Sequence, residues 1–239
     1  MIGLPVMLKP YQRIPIADCG EPLVAIPPDR FRLWNPPPYA ALGATYGDRS
    51  PFMVRSGVLE RLQRAAAWLD QIKPGWQIAI FDAYRPVAVQ QFMVDYTFGE
   101  LARSAGLDPI ALAARPEDPQ TQALRDRVAQ FWALPSANPA TPPPHSTGAA
   151  LDVTLVDETG AEVDMGSPID ECSERSFPDY FSAATDPAER ACHDRRQLLR
   201  QAMGQGEFAQ HPHEWWHFSW GDQLWADRTG HPIAHYGGY

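Results

Sequence analysis

An α+β fold on a mainly antiparallel sheet is what this sequence predicts, on three observations. Apolar residues recur at helical spacing in several stretches. Short apolar runs bounded by turn residues read as strands. The two kinds of element also follow one another without the βαβ rhythm of a parallel sheet. With 239 residues, 44% hydrophobic and 21% charged, the chain has material for a packed core and reads as one domain over residues 1–239.

Residues 1–55 are rich in proline and aromatics and read as loops with short strands. Val58, Leu59, Leu62, Ala65, Ala66, Leu69 and Ile72 recur at helical spacing. They predict a helix from Ser56 to Ile72, capped by Ser56 and stopped by Lys73-Pro74-Gly75. Trp76 to Ala83 is a buried-strand candidate, and Pro86 is placed to open a second helix through Phe98. A third helix covers Gln120 to Trp132. Ser136 to Pro144 reads as a rigid polar loop leading into a strand from Gly148 to Val156. A turn at residues 157–160 and a short partner strand follow. Asp186, Pro187 and Glu189 have the form of a cap, a first-turn proline and a capping-box acid. The helix they open carries Leu198, Leu199, Ala202 and Met203 on its apolar side and stops at Gly204. His213 to Trp220 is an aromatic strand.

Bulk properties exclude several classes of function. The formal charge of -9 and pI of about 5.2 make a nucleic acid a poor partner. Three widely spaced cysteines without a CxxC pair exclude a zinc ribbon and a thioredoxin-type motif. No segment has the length of a membrane span, and the first 22 residues contain no continuous apolar stretch of the kind that directs export. A cytoplasmic protein with no membrane or nucleic-acid partner is the expectation. The 25 prolines, about twice the average share, imply many rigid, irregular connections.

A catalytic zinc site needs three nitrogen or oxygen ligands and an open position for water. Two segments together offer that set. His145-Ser-Thr-Gly148-Ala-Ala-Leu-Asp152 supplies an imidazole and a carboxylate. Glu214-Trp-Trp-His217 supplies a second imidazole and a carboxylate suited to act as general base. Residues three apart in an ideal strand point to opposite faces. Glu214 and His217 therefore converge only if the strand starts after Glu214 or carries a bulge. His145 is expected in the loop before a strand, Gly148 at the turn, and Asp152 on the strand itself. Plainer readings stand beside these: a histidine satisfied in the core, Asp152 as a sheet-end carboxylate, Trp215-Trp216 as core. The other five histidines lack such framing, with supporting roles open to His211 and His213.

The chain resembles the D-alanyl-D-alanine dipeptidases of the VanX type, within the zinc D,D-peptidases that share a fold with Hedgehog signalling domains. The resemblance rests on Asp82-Ala-Tyr-Arg85-Pro86, His145-x-x-Gly148-x-Ala150-x-Asp152, Met165-Gly166 with Asp170, Ser173-Glu-Arg-Ser176 and Glu214-Trp-Trp-His217-Phe218, and runs from about residue 50 to about residue 225. It implies a Hedgehog/DD-peptidase-like fold, with residues 1–50 as a proline-rich extension packed on the domain. It implies one zinc ion on His145, Asp152 and His217, with Glu214 as general base and later acid. Arg85 would donate to the developing oxyanion, and Asp170 would hold the ammonium of a small dipeptide, with a role in cell-wall peptide metabolism. Tyr84 would position Arg85 or the substrate, or simply pack. Arg85 can instead pair with Asp82, and Asp170 can be a turn carboxylate. One departure is clear: Pro143 stands where the family has serine, and it offers neither a hydroxyl nor an N–H. Two other functions share these motifs: a peptidoglycan carboxypeptidase or endopeptidase with an open groove, and a zinc-binding module without activity.

Overall fold

The computed structural model describes residues 9–239. After a 3-10 turn at Pro10–Arg13 come β1 (Leu23–Ala25), β2 (Arg32–Leu33), α1 (Pro38–Ala41), β3 (Met53–Arg55), α2 (Ser56–Ile72), β4 (Gln77–Asp82) and α3 (Val87–Ser104). The second half holds α4 (Pro109–Ala113), α5 (Pro119–Phe131), a 3-10 turn at Pro144–Thr147, β5 (Ala150–Val156), α6 (Pro187–Gln205), β6 (Ala209–Gln210), β7 (His217–Ser219) and α7 (Gln223–Thr229). Five strands form one sheet in the order β2-β4-β5-β7-β6. Only the β2–β4 pairing is parallel, so the α+β fold with a mainly antiparallel sheet is as expected. Among the described residues no helix is long and apolar enough to cross a membrane.

The α2 periodicity becomes a packed face. Val58, Leu62, Ala65 and Leu69 are fully buried against Leu199 and Met203 of α6 and against Ile78, Ile80, Leu151 and Val153 of the sheet. Each such leucine or isoleucine contributes about 1.5–3 kcal/mol. Because Leu151, Val153 and Leu155 face this core, alternation along β5 turns Asp152 and Thr154 to the opposite face. There α3 and α5 build a second cluster around Tyr39, Val89, Met93, Val128 and Trp132.

Three local expectations are corrected. Ser56 does not cap α2 but is its first residue. The cap is Glu21, whose Oε2 accepts from the Gly57 N–H at 2.7 Å and from Ser56 Oγ at 3.2 Å. The partner strand after residues 157–160 is reduced to a single bridge between Val156 and Glu162. The aromatic strand is three residues long, beginning at His217, because Trp215 and Trp216 leave the ladder to fill the core.

Candidate metal centre

The sheet positions the centre. Asp152 on β5 lies opposite His217 on β7 and opposite Asp82 on β4, so three polar side chains stand in one row on one face. A register shift between Ile80 and Asp82 places Asp82 in that row; in regular register Asp82 would lie one step further along β5. His145 comes from the 3-10 turn before β5. Gly148 ends that turn at φ +75°, and a side chain there would collide with Leu23 as well as being strained.

His145 Nε2, His217 Nδ1 and the Asp152 carboxylate converge. The two ring nitrogens are 3.1 Å apart, His145 Nε2 is 3.2 Å from Asp152 Oδ2, and His217 Nδ1 is 3.2 Å from Oδ1. His145 Nδ1 is 2.7 Å from the Ala83 carbonyl. A carbonyl can only accept, so Nδ1 donates to it and Nε2 is the nitrogen turned toward His217 and Asp152. Asp152 Oδ1 is buried without a hydrogen-bond partner. Two ring nitrogens and a carboxylate gathered this closely form the arrangement that a cation between them would stabilise. Tetrahedral bonds of about 2.0–2.1 Å put ligand atoms roughly 3.3 Å apart, close to the spacing found. The donor set fits a metal ion of the zinc type.

Glu214 precedes β7, as the convergence of an ExxH pair requires. Its Oε2 is 3.6 Å from His217 Nδ1 and its Oε1 is 3.7 Å from His211 Nδ1. Its neighbours hold it. The Trp215 N–H donates to Ser176 O at 2.9 Å, and the Val153 N–H donates to Trp216 O at 3.0 Å. Burial, then the charges of Asp152 and Asp170, push the Glu214 carboxyl well above the usual range. Burial also works against ionised Asp152, yet His145 and His217 hold it well below that range.

Arg85 is brought to the centre, and both readings of it have a basis. Its Nε donates to Asp82 at 2.9 Å, Nη1 to Gln90 at 3.0 Å, and Nη2 to Tyr39 OH at 3.0 Å and Asp152 Oδ2 at 2.9 Å. Four of its five N–H groups are thus engaged, one of them on a ligand carboxylate, which leaves one on Nη1. Tyr39 and Trp132 lie against the guanidinium, 4.6 and 5.1 Å from their ring centres. Asp170 lines the same pocket as Glu214. It adopts φ +67°, which aspartate tolerates, and its Oδ1 accepts from Tyr39 OH at 3.2 Å. Burial, followed by repulsion from Asp152, pushes its carboxyl up to about 7.

Tyr84 is not brought into the pocket. Its hydroxyl accepts from Arg49 at 2.8 Å and donates to the Tyr239 carbonyl at 3.3 Å, behind the turn that carries His145. Sequence reasoning named the pairing of Arg85 with Asp82 but missed Tyr39, which joins Arg85 to Asp170. It also missed Arg196, which donates to Met165 O, Phe177 O and Ser167 Oγ and so braces the loop bearing Asp170. His211, left open to a supporting role, donates its backbone N–H to His217 O at 2.9 Å.

Residues 34–233 match the sequence profile of the D-ala-D-ala dipeptidase family. The chain is 50% identical over 242 aligned positions to a D-alanyl-D-alanine dipeptidase of Synechocystis sp., covering 96% of each chain. It is 43% identical over 74 positions to one of Escherichia coli, covering 31% of this chain and 36% of that one. It is 26% identical over 155 positions to one of Enterococcus faecalis, covering 64% and 66%.

Proposed function

Since the chain belongs to the D-ala-D-ala dipeptidase family, we propose that it hydrolyses the peptide bond of D-Ala-D-Ala or a similar D,D-dipeptide, with one zinc ion on His145, Asp152 and His217. The convergence of these three donors beside Glu214 carries the reading. Bound zinc supplies the Lewis acidity that activates water near neutral pH and polarises the scissile carbonyl. Glu214 takes a proton from the attacking water. Its raised carboxyl pKa suits it to pass that proton on to the leaving amine nitrogen. Arg85 holds Asp152 in place and offers its remaining Nη1 N–H and its charge to the carbonyl oxygen. Asp170 accepts the substrate's ammonium, and its place in the pocket with Glu214 favours a dipeptide over a longer chain.

The test is turnover by the zinc-loaded protein on stereodefined dipeptides and their N-acetylated forms. Release of D-Ala from D-Ala-D-Ala is expected, lost with a chelator and restored by zinc, with N-acetyl-D-Ala-D-Ala left intact. Efficient cleavage of the acetylated form would instead favour a carboxypeptidase. No hydrolysis of any stereoisomer would overturn the reading.

A further inference from the structure

Among the polar side chains of the pocket, Lys9 and Tyr11 have no task in the chemistry above. Both belong to the 3-10 turn at Pro10–Arg13 and its first flank, and that turn is fastened down. Gln223 Nε2 donates to Ile14 O at 2.6 Å, to Ala140 O at 3.0 Å and to Gln12 O at 3.3 Å. The Lys9 N–H donates to Gln12 Oε1 at 2.9 Å, which sets the backbone from which the lysine side chain departs. Leu224, next to Gln223, lines the pocket too, so α7 holds the turn against the site.

Among the described residues, no carboxylate pairs with Lys9 in a salt bridge. Arg85 is the other cationic side chain of the pocket, and its donors are largely taken by Asp82, Asp152, Tyr39 and Gln90. Among the described residues, neither the Lys9 ammonium nor the Tyr11 hydroxyl makes a hydrogen bond. Burial works against the Lys9 charge, and the Glu214 carboxylate favours it. Pro143 and Pro144, beside His145, contribute no backbone N–H, so the turn that carries the ligand gives an anion little to bind. A partly desolvated ammonium and a buried hydroxyl are donors suited to an incoming carboxylate.

We propose that Lys9, together with the Tyr11 hydroxyl, is the subsite for the free carboxylate of the dipeptide, an inference that rests on the dipeptidase reading. Asp170 lies against Tyr39, whereas Lys9 and Tyr11 enter the pocket from the N-terminal turn that α7 holds in place. The two ends of a zwitterionic dipeptide then meet charges carried by separate segments of the pocket wall. Holding both ends excludes any longer peptide, as the ammonium contact alone does not.

The experiment separates binding from turnover. D-Ala-D-Ala and its C-terminal amide are titrated calorimetrically into the full-length zinc-loaded protein carrying Glu214→Gln. The acid is expected to bind about 10- to 100-fold more tightly than the amide, the range of a charged hydrogen bond. Adding Lys9→Met should bring the acid to the amide's affinity and leave the amide unchanged, while Lys9→Arg keeps part of the preference. Equal binding of acid and amide with Lys9 intact overturns the subsite, as does a preference that survives Lys9→Met. Turnover is then read on protein with Glu214 restored. A Lys9-dependent preference without turnover keeps the subsite and sinks the dipeptidase reading. Turnover with a preference indifferent to Lys9 sinks the subsite alone.

Discussion

Asp152 faces two demands at once: Oδ2 accepts from Arg85 and lies 3.2 Å from His145 Nε2, while Oδ1 lies 3.2 Å from His217 Nδ1 without a hydrogen-bond partner. Arg85 thereby orients the carboxylate. Glu214 has the opposite environment, with no hydrogen bond to its carboxylate among the described residues and burial favouring its protonated form. That contrast separates ligand from base and yields a prediction. Glu214→Gln should lower kcat by about 10²- to 10⁴-fold, the usual contribution of a positioned acid–base group. Zinc content by elemental analysis should stay at one ion per chain. Loss of zinc together with activity would make Glu214 a ligand instead. The three converging donors and the carboxylate beside them were legible in the sequence because they come as two close pairs whose spacing suits that chemistry. Tyr39, Lys9 and Tyr11 were not, because each reaches the pocket through packing of distant segments, and nothing beside them in the chain records the destination.

Elements were legible where local periodicity decides them and were misread where partners are distant. The apolar stripe of α2 gave that helix its bounds, yet its cap is a glutamate from a loop far upstream. His213 to Trp220 has the composition of a strand, but the ladder begins only at His217 because two tryptophans are drawn into the core. Helix α7 shows what a cap can cost. Asp222 Oδ1 accepts from the Trp225 N–H at 2.7 Å, while Oδ2 is buried without a partner, and burial pushes the carboxyl up to about 6 from 3.8. Between about pH 4 and pH 6 the folded chain therefore keeps a proton that the unfolded chain has released. Stability falls as pH rises through that window, by about 2–3 kcal/mol in all. Asparagine retains the capping oxygen without the charge. Asp222→Asn should raise the melting temperature relative to wild type at pH 8 and leave it nearly unchanged at pH 4. A substitution that costs as much at pH 8 as at pH 4 would show that the buried charge is not what limits α7.

The whole molecule is drawn together at the turn that carries His145. Buried Arg55 donates to Thr147 O at 2.8 Å, Glu21 O at 2.6 Å, Asp18 at 3.0 Å and Gly237 O at 3.1 Å, tying segments from both ends of the chain to that turn. The Tyr239 N–H adds a bond to Ser146 O at 3.0 Å, and Ser146 Oγ donates to Arg85 O at 2.8 Å. Two further ligands come from β5 and β7 at the middle of the sheet, so a bound ion would join the turn to the sheet at the point where these ties meet. Without it, two imidazole nitrogens and a carboxylate are left at 3.1–3.2 Å from one another inside the protein. Ion binding should therefore contribute to global stability and not only to activity. At a free ion concentration about a thousand times Kd, the contribution is about 4 kcal/mol. For a chain of this size that corresponds to roughly 10 °C in melting temperature. Scanning calorimetry before and after chelation should show a drop of that order, reversed by adding zinc back. A melting temperature unchanged by complete removal of the metal would mean that Arg85, Ala83 and the sheet hold the three donors together unaided.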